Sequence, residues 1–302
     1  MLRLLHSSQP VAWGIVPLTA AVLFVVGGLG VHGWSLMAQA PWGAGLAVVL
    51  SARWIHTAHL TSGMRTRPNL LPSWSWVLVA TPMLWNTPAS WWWGMALIWL
   101  SVGQGLRLQM GDSRPDLHFW SGLAAGSAPM VASELAAWCP VLAVVLFAWR
   151  PPKPGEALLW VVGALTPLWM ASGLSWWRMG SLASMEWRWT EVVNAPKMSA
   201  WVLVPMAVAG WALRQQSLTR ATARQRVTRK WTQWPGPIAL AMGVISMSSG
   251  WGTGSAMAMA LTGFAMWVTW ALGWCCPPRW RGTPWVPWLA LVLSIGAAWG
   301  PV

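Results

Sequence analysis

One stretch limits what this chain can fold into. Residues 118–149 read HFWSGLAAGSAPMVASELAAWCPVLAVVLFAW, two apolar arms on either side of a single acid, Glu134. Each arm, residues 119–132 and 136–149, reaches about 21 Å as a helix, short of the ~30 Å hydrocarbon core of a bilayer. The pattern predicts a tight membrane hairpin that either re-enters one face or spans a locally thinned bilayer.

The remainder of the chain supports a membrane setting. Only 8% of the 302 residues are charged and 56% are hydrophobic, whereas a soluble surface needs about a quarter to a third charged residues. A net charge of +13 could point to nucleic acid. These basic residues are instead parcelled into short loops between apolar runs, so no nucleic-acid partner is expected. The expected fold is all-α, a polytopic helical membrane protein forming one integral domain over residues 1–302.

Apolar runs place the spans at about residues 11–30, 41–55, 69–85, 91–110, the two hairpin arms, 157–175, 200–213, from 237 onward, 256–274 and 285–299. That is about eleven segments, with nine the lower bound. The first run exceeds the ~7–15 apolar residues of a signal peptide, which predicts an uncleaved span. With the N-terminus inside, the inner loops hold all but three of the 19 basic residues, the exceptions being Arg178, Arg188 and Lys197. The positive-inside rule therefore predicts a cytoplasmic N-terminus and a periplasmic C-terminus in a bacterial inner membrane.

The 32 tryptophans, with no tyrosine and 4 phenylalanines, fill slots that other aromatics usually occupy, including interfacial belts. The outer loop, residues 177–199, interleaves Trp187 and Trp189 with charges and predicts a short amphipathic interfacial helix. The inner loop, residues 214–230, carries Arg214, Arg220, Arg224, Arg226, Arg229 and Lys230 with no acid. Each cation near an anionic leaflet contributes about 1 kcal/mol of attraction, so this loop is the candidate inner-leaflet contact.

Few residues carry candidate chemistry. Glu134 is the candidate catalytic or carrier acid if it faces the protein interior, and an ordinary hydrated turn residue if the hairpin reaches water. Arg178 and Arg188 are candidates for binding a lipid or substrate on the outer side. His56 and His59 share a helical face with Arg53, but no further ligand follows at metal spacing, and no metal or cofactor is expected. Asp112 and Asp116 could begin a Mg²⁺ site, yet the segment reads better as a turn that hands an N-cap to the hairpin helix. Cys139 and the neighbours Cys275 and Cys276 form neither a disulfide framework nor a metal motif.

Asn69-Leu70-Leu71-Pro72 after a basic loop, Phe119-Trp120-Ser121-Gly122-Leu123 with Gly126, Arg150-Pro151-Pro152, and Gly163-Ala164-Leu165-Thr166-Pro167 resemble a polytopic inner-membrane family of Bacteroidota, a domain of unknown function. More distantly, the glycine-rich hairpin followed by a basic proline turn resembles membrane glycosyltransferases of the GT-C type. That likeness implies a polyprenyl-linked lipid as ligand and a catalytic acid in the first outer loop. Residues 31–40 contain no acid.

The expectation is a non-catalytic subunit or scaffold of an envelope process, with membrane lipids and envelope proteins as partners. An enzyme or flippase acting on a polyprenyl-linked sugar, and a proton-coupled transporter working through Glu134, are the alternatives.

Overall fold

The computed structural model describes residues 13–32, 41–61, 70–81, 84, 87–109, 114–149 and 152–180. Among them are seven α-helices and no strand: α1 (Ile15–His32), α2 (Trp42–Thr61), α3 (Leu71–Ala80), α4 (Ala89–Gln109), α5 (Asp116–Val131), α6 (Trp138–Trp149) and α7 (Pro154–Met179). A 3-10 turn, Ser133–Ala137, joins α5 to α6. The all-α expectation holds for these residues. The last four expected spans, the outer loop 177–199 beyond Gly180, and the basic inner loop lie outside them.

Helices α1 and α2 run in opposite directions. Phe24 of α1 packs on Trp42 at the start of α2, while Trp13, before α1, meets His56 near the end of α2. Ser101 of α4 pairs with Ser121 of α5, and Gly94 of α4 faces Ala128 and Leu135, so α4 and α5 are antiparallel. Gly122 and Gly126 of α5 abut the backbone of Trp160 and Ala164. Those two helices therefore run parallel, with α6 returning between them in sequence.

The expected third span becomes a helix only over ten residues, Leu71–Ala80. At 1.5 Å per residue this is about 15 Å, half a bilayer. Pro72 sits in its first turn, where the missing N–H costs nothing. At its end the Thr81 hydroxyl bonds back to the Val77 carbonyl at 2.7 Å, and Pro82 follows in sequence with no donor to extend the ladder. Residues 72–81 are all buried, so α3 has no face for lipid or water. Its polar groups are met inside: Ser73 donates to the Ala52 carbonyl at 2.7 Å, and the Trp74 indole donates to Thr19 at 3.3 Å.

Tryptophan is a core residue here as well as an expected belt residue. Trp76, Trp91, Trp92, Trp99 and Trp138 are fully buried. Trp76 meets Trp99 edge to face at 5.3 Å and Trp92 at 6.3 Å, the geometry that brings a positive ring edge onto a negative face.

The expected hairpin is present as two unequal arms, α5 of 16 residues and α6 of 12. Its arms pack on other helices more than on each other: α5 lies mainly against α4 and α7. One contact does tie them together. Pro129 inside α5 has no N–H, so the Ala125 carbonyl loses its helical donor. The Cys139 thiol of α6 donates to that carbonyl at 3.3 Å.

The helix α7, with 26 residues, is the one described helix long and apolar enough to cross a membrane, and 11% of its apolar window is buried. It presents Leu158, Leu165, Trp169, Met170, Trp176 and Trp177 to the surroundings. Gly180, at φ 66°, caps its C-terminus in the left-handed conformation.

Candidate functional site

Two polar clusters stand out among the described residues, one at the starts of α5 and α7 and one between α4 and α5. At the start of α5, Arg114 and Asp116 form an exposed ion pair at 2.8 Å. The Arg114 guanidinium beside Asp116 holds its carboxyl below the usual range, helped by the first amides of the helix. The N-cap of α5 is Pro115 and makes no side-chain capping bond. The expected acidic N-cap is therefore corrected: Asp116 is the first helical residue, favoured there by the positive end of the helix dipole. Asp112, its proposed metal-binding partner, lies outside the described residues.

Two residues from the start of α5, His118 Nε2 lies 3.6 Å from Glu156 Oε2. Glu156 is equally close to the start of α7 and accepts the Lys153 backbone N–H at 3.2 Å. One carboxylate thus caps α7 and meets the imidazole of α5. In the sequence His118 is a singleton with no motif around it, and the pairing depends on the parallel register of two helices that are not sequence neighbours.

Midway along α4 and α5, Ser101 and Ser121 bond reciprocally. The Ser101 hydroxyl donates to the Ser121 carbonyl at 2.9 Å, the Ser121 hydroxyl to the Ser101 carbonyl at 3.2 Å, and the two oxygens are 3.1 Å apart. Both residues are fully buried. Polar side chains placed this way join helices in an apolar medium. The G-x-x-x-G spacing of Gly122 and Gly126 was a legible signal for the neighbouring α5–α7 contact. A Cβ on Gly126 would overlap the Ala164 carbonyl, and one on Gly163 the Phe119 carbonyl.

The sequence candidates are dispersed. Glu134 belongs to the 3-10 turn at the hairpin tip. Arg178 is in the last turn of α7 and exposed, well separated along α7 from the Glu156 end. Arg188 and the loop residues Arg214, Arg220, Arg224, Arg226, Arg229 and Lys230 lie outside the described residues, as do Cys275 and Cys276. His56 and His59 are buried on α2. His56 meets Trp13 edge to face at 5.5 Å, with the Arg53 guanidinium 5.4 Å from the same indole, a cation–π and aromatic stack. Among the described residues no group of three or more His, Cys, Asp or Glu could hold a metal ion. No arrangement of nucleophile, base and oxyanion donors is assembled by the described contacts. No protein-family model, curated protein or solved structure matches this chain.

Proposed function

We propose that this chain is a multi-pass bacterial inner-membrane protein with about eleven spans, its N-terminus cytoplasmic and its C-terminus periplasmic, acting as a non-catalytic subunit or scaffold that holds lipid and partner chains of an envelope process. The observation that carries the membrane part of this reading is α7. A 26-residue apolar helix in a soluble protein is a core helix and is mostly buried, whereas here 11% of the apolar window is buried. Large side chains face outward around it, Trp169 at 82% exposure and Leu158 at 64%. Such a surface is stable against acyl chains and not against water.

The scaffold part rests on what the polar residues are engaged in. His118 and Glu156 join the starts of α5 and α7, and Ser101 and Ser121 fasten α4 to α5, so these polar groups hold helices together. The outer Trp-rich loop with Arg188, the exposed Arg178 and the inner basic loop are the surfaces that would meet lipid headgroups and partners.

Native mass spectrometry after extraction in a mild detergent tests the reading. A stoichiometric partner chain is the expected result. A retained polyprenyl-phosphate lipid with no partner would replace the scaffold with the enzyme or flippase alternative. Release of the protein from membranes by alkaline carbonate would overturn the membrane assignment itself.

A further inference from the structure

We infer that the α5–α6 hairpin crosses the whole hydrocarbon core, and that the last two turns of α7 project past its tip into the outer headgroup layer, where Arg178 binds lipid phosphate. The inference rests on the membrane reading above and deepens it by naming the partner of that end of α7.

Three helices share one register. His118 meets Glu156 and Gly126 abuts Ala164. Each pair is equally distant from the starts of its two helices, so α5 and α7 begin level and rise together. Ser101 pairs with Ser121 and Gly94 faces Ala128, so α4 descends one residue for each residue that α5 rises. Continued to the hairpin tip, that register sets Ala89, the first residue of α4, opposite Ser133. The start of α2 lies near the same level. Gly43 is against the Trp93 indole of α4, and Gly103 of α4 is against Ala58, so α2 runs parallel to α4 and begins within about one turn of it.

The length of α4 gives this level its meaning. Its 21 residues, Ala89–Gln109, with Arg107 in the last turn at the inner edge, reach about 31 Å, a full hydrocarbon core. Ala89 therefore marks the outer edge, and the tip stands beside it. The arms taken alone are short because the first residues of α5 and the turn itself supply the remaining height. The backbone also breaks where the core ends. Ala132 is extended at φ −144° and ψ 106°, and a break in helical pairing is stable where water or headgroups can meet the freed groups, not among acyl chains.

α7 begins level with α5 but has 26 residues, about 39 Å. It passes the tip near Ala171, and residues 172–179 continue for about 12 Å. The headgroup region adds about 5–7 Å to each side of the core, so this end crosses it. It carries Trp176 and Trp177, both exposed, and an exposed Arg178. Indole rings settle at headgroup level, and a guanidinium matches a phosphate through two parallel N–H···O bonds. Charge complementarity selects headgroup phosphate over acyl chain as the occupant here.

Photoreactive phospholipids test the α7 end in the full-length wild-type protein. Phosphatidylcholine vesicles carry a diazirine lipid with the reactive group either in the headgroup or at the acyl terminus, and adducts are mapped by peptide mass spectrometry. Headgroup adducts should fall on residues 172–180 and acyl-terminal adducts on residues 158–166. Acyl-terminal adducts on residues 172–180 would overturn the inference. So would a lack of headgroup adducts there, which would mean that protein covers this end. Arg178→Gln should lower the headgroup adducts about fivefold and leave the acyl-terminal adducts unchanged; equal headgroup labelling removes the phosphate contact.

Single-cysteine accessibility tests the hairpin. The background is Cys139→Ser, which keeps a donor for the Ala125 carbonyl, with Cys275→Ala and Cys276→Ala. Ser133→Cys and Ala136→Cys report on the tip, Ser90→Cys on the outer edge of α4 and Leu165→Cys on mid-depth, and Met179→Cys and Lys153→Cys are the side controls. Sealed vesicles of both orientations are treated with an impermeant methanethiosulfonate reagent. If the two side controls react from the same side, the membrane reading fails independently of the hairpin. With the controls on opposite sides, the tip positions should react from the Met179 side at rates close to that of Ser90→Cys and faster than Leu165→Cys. Tip rates as slow as that of Leu165→Cys would make the hairpin re-entrant, and reaction from the Lys153 side would put its tip near the inner face. Either result overturns the inference, as does a Ser90→Cys that fails to react from the Met179 side.

Discussion

At the scale of single residues, this bundle is held where small groups let two helices approach closely. Gly126 is an example, because the space its missing Cβ leaves is occupied by the Ala164 carbonyl. Gly126→Ala should lower stability by about 1–3 kcal/mol through overpacking. Gly173, with nothing within 4 Å, should tolerate alanine and gain up to about 1 kcal/mol from helix propensity. Thermal denaturation of the two variants in the same detergent checks the contrast. Removing either hydroxyl of the Ser101–Ser121 pair should cost about 0.6 kcal/mol, the average for interhelical hydrogen bonds in a membrane, and the double-mutant cycle should return a coupling of that size. Asp116 supplies a pH dependence. Its carboxyl is held below the usual range by Arg114 in the folded state, so its stabilising contribution is present above the ordinary carboxylate range and is lost as pH falls through it toward the folded value. Asp116→Asn should flatten that acid limb of the stability curve and leave the neutral region almost unchanged, as expected for an exposed pair.

At the scale of elements, α3 and α7 are opposite cases of the same composition. Within the apolar run at residues 69–85, residues 71–80 form a half-length helix buried from Pro72 onward, with Ser73 donating to the Ala52 carbonyl of α2 and Ser75 to the Pro72 carbonyl of α3 itself. The run at residues 157–175 becomes the long exposed α7. Hydropathy alone could not tell them apart, since both runs are apolar on all faces. What differs is the packing, and α7 meets its neighbour α5 through a narrow strip at Trp160, Gly163 and Ala164. A charge on the exposed faces of α7 therefore reports depth. Leu165→Arg should raise the apparent free energy of membrane insertion by about 2.5–3.5 kcal/mol. Leu158→Arg, about half a turn from the boundary at Glu156, should cost much less because its guanidinium can reach the headgroups. A translocon insertion assay on both variants makes the measurement, and equal costs would contradict the assigned boundary.

At the scale of the whole molecule, the proposed orientation puts Lys153 in the cytoplasm and Gly180 outside it. A reporter active only in the cytoplasm should work when fused after Lys153 and fail after Gly180, with the reverse for a periplasmic reporter. The sequence by itself determined the helical class of the described residues, because long continuous apolar runs satisfy their backbone within one helix, whereas barrel strands alternate polar and apolar residues. It also located both hairpin arms and the acid between them, because local periodicity and a break in hydrophobicity are properties of neighbours along the chain. Only the tertiary structure decided that α3 is buried and α7 exposed, that Cys139 takes up the carbonyl freed by Pro129, and that His118 meets Glu156. Each of these depends on register between separate helices, and register is fixed by where small side chains let two backbones approach.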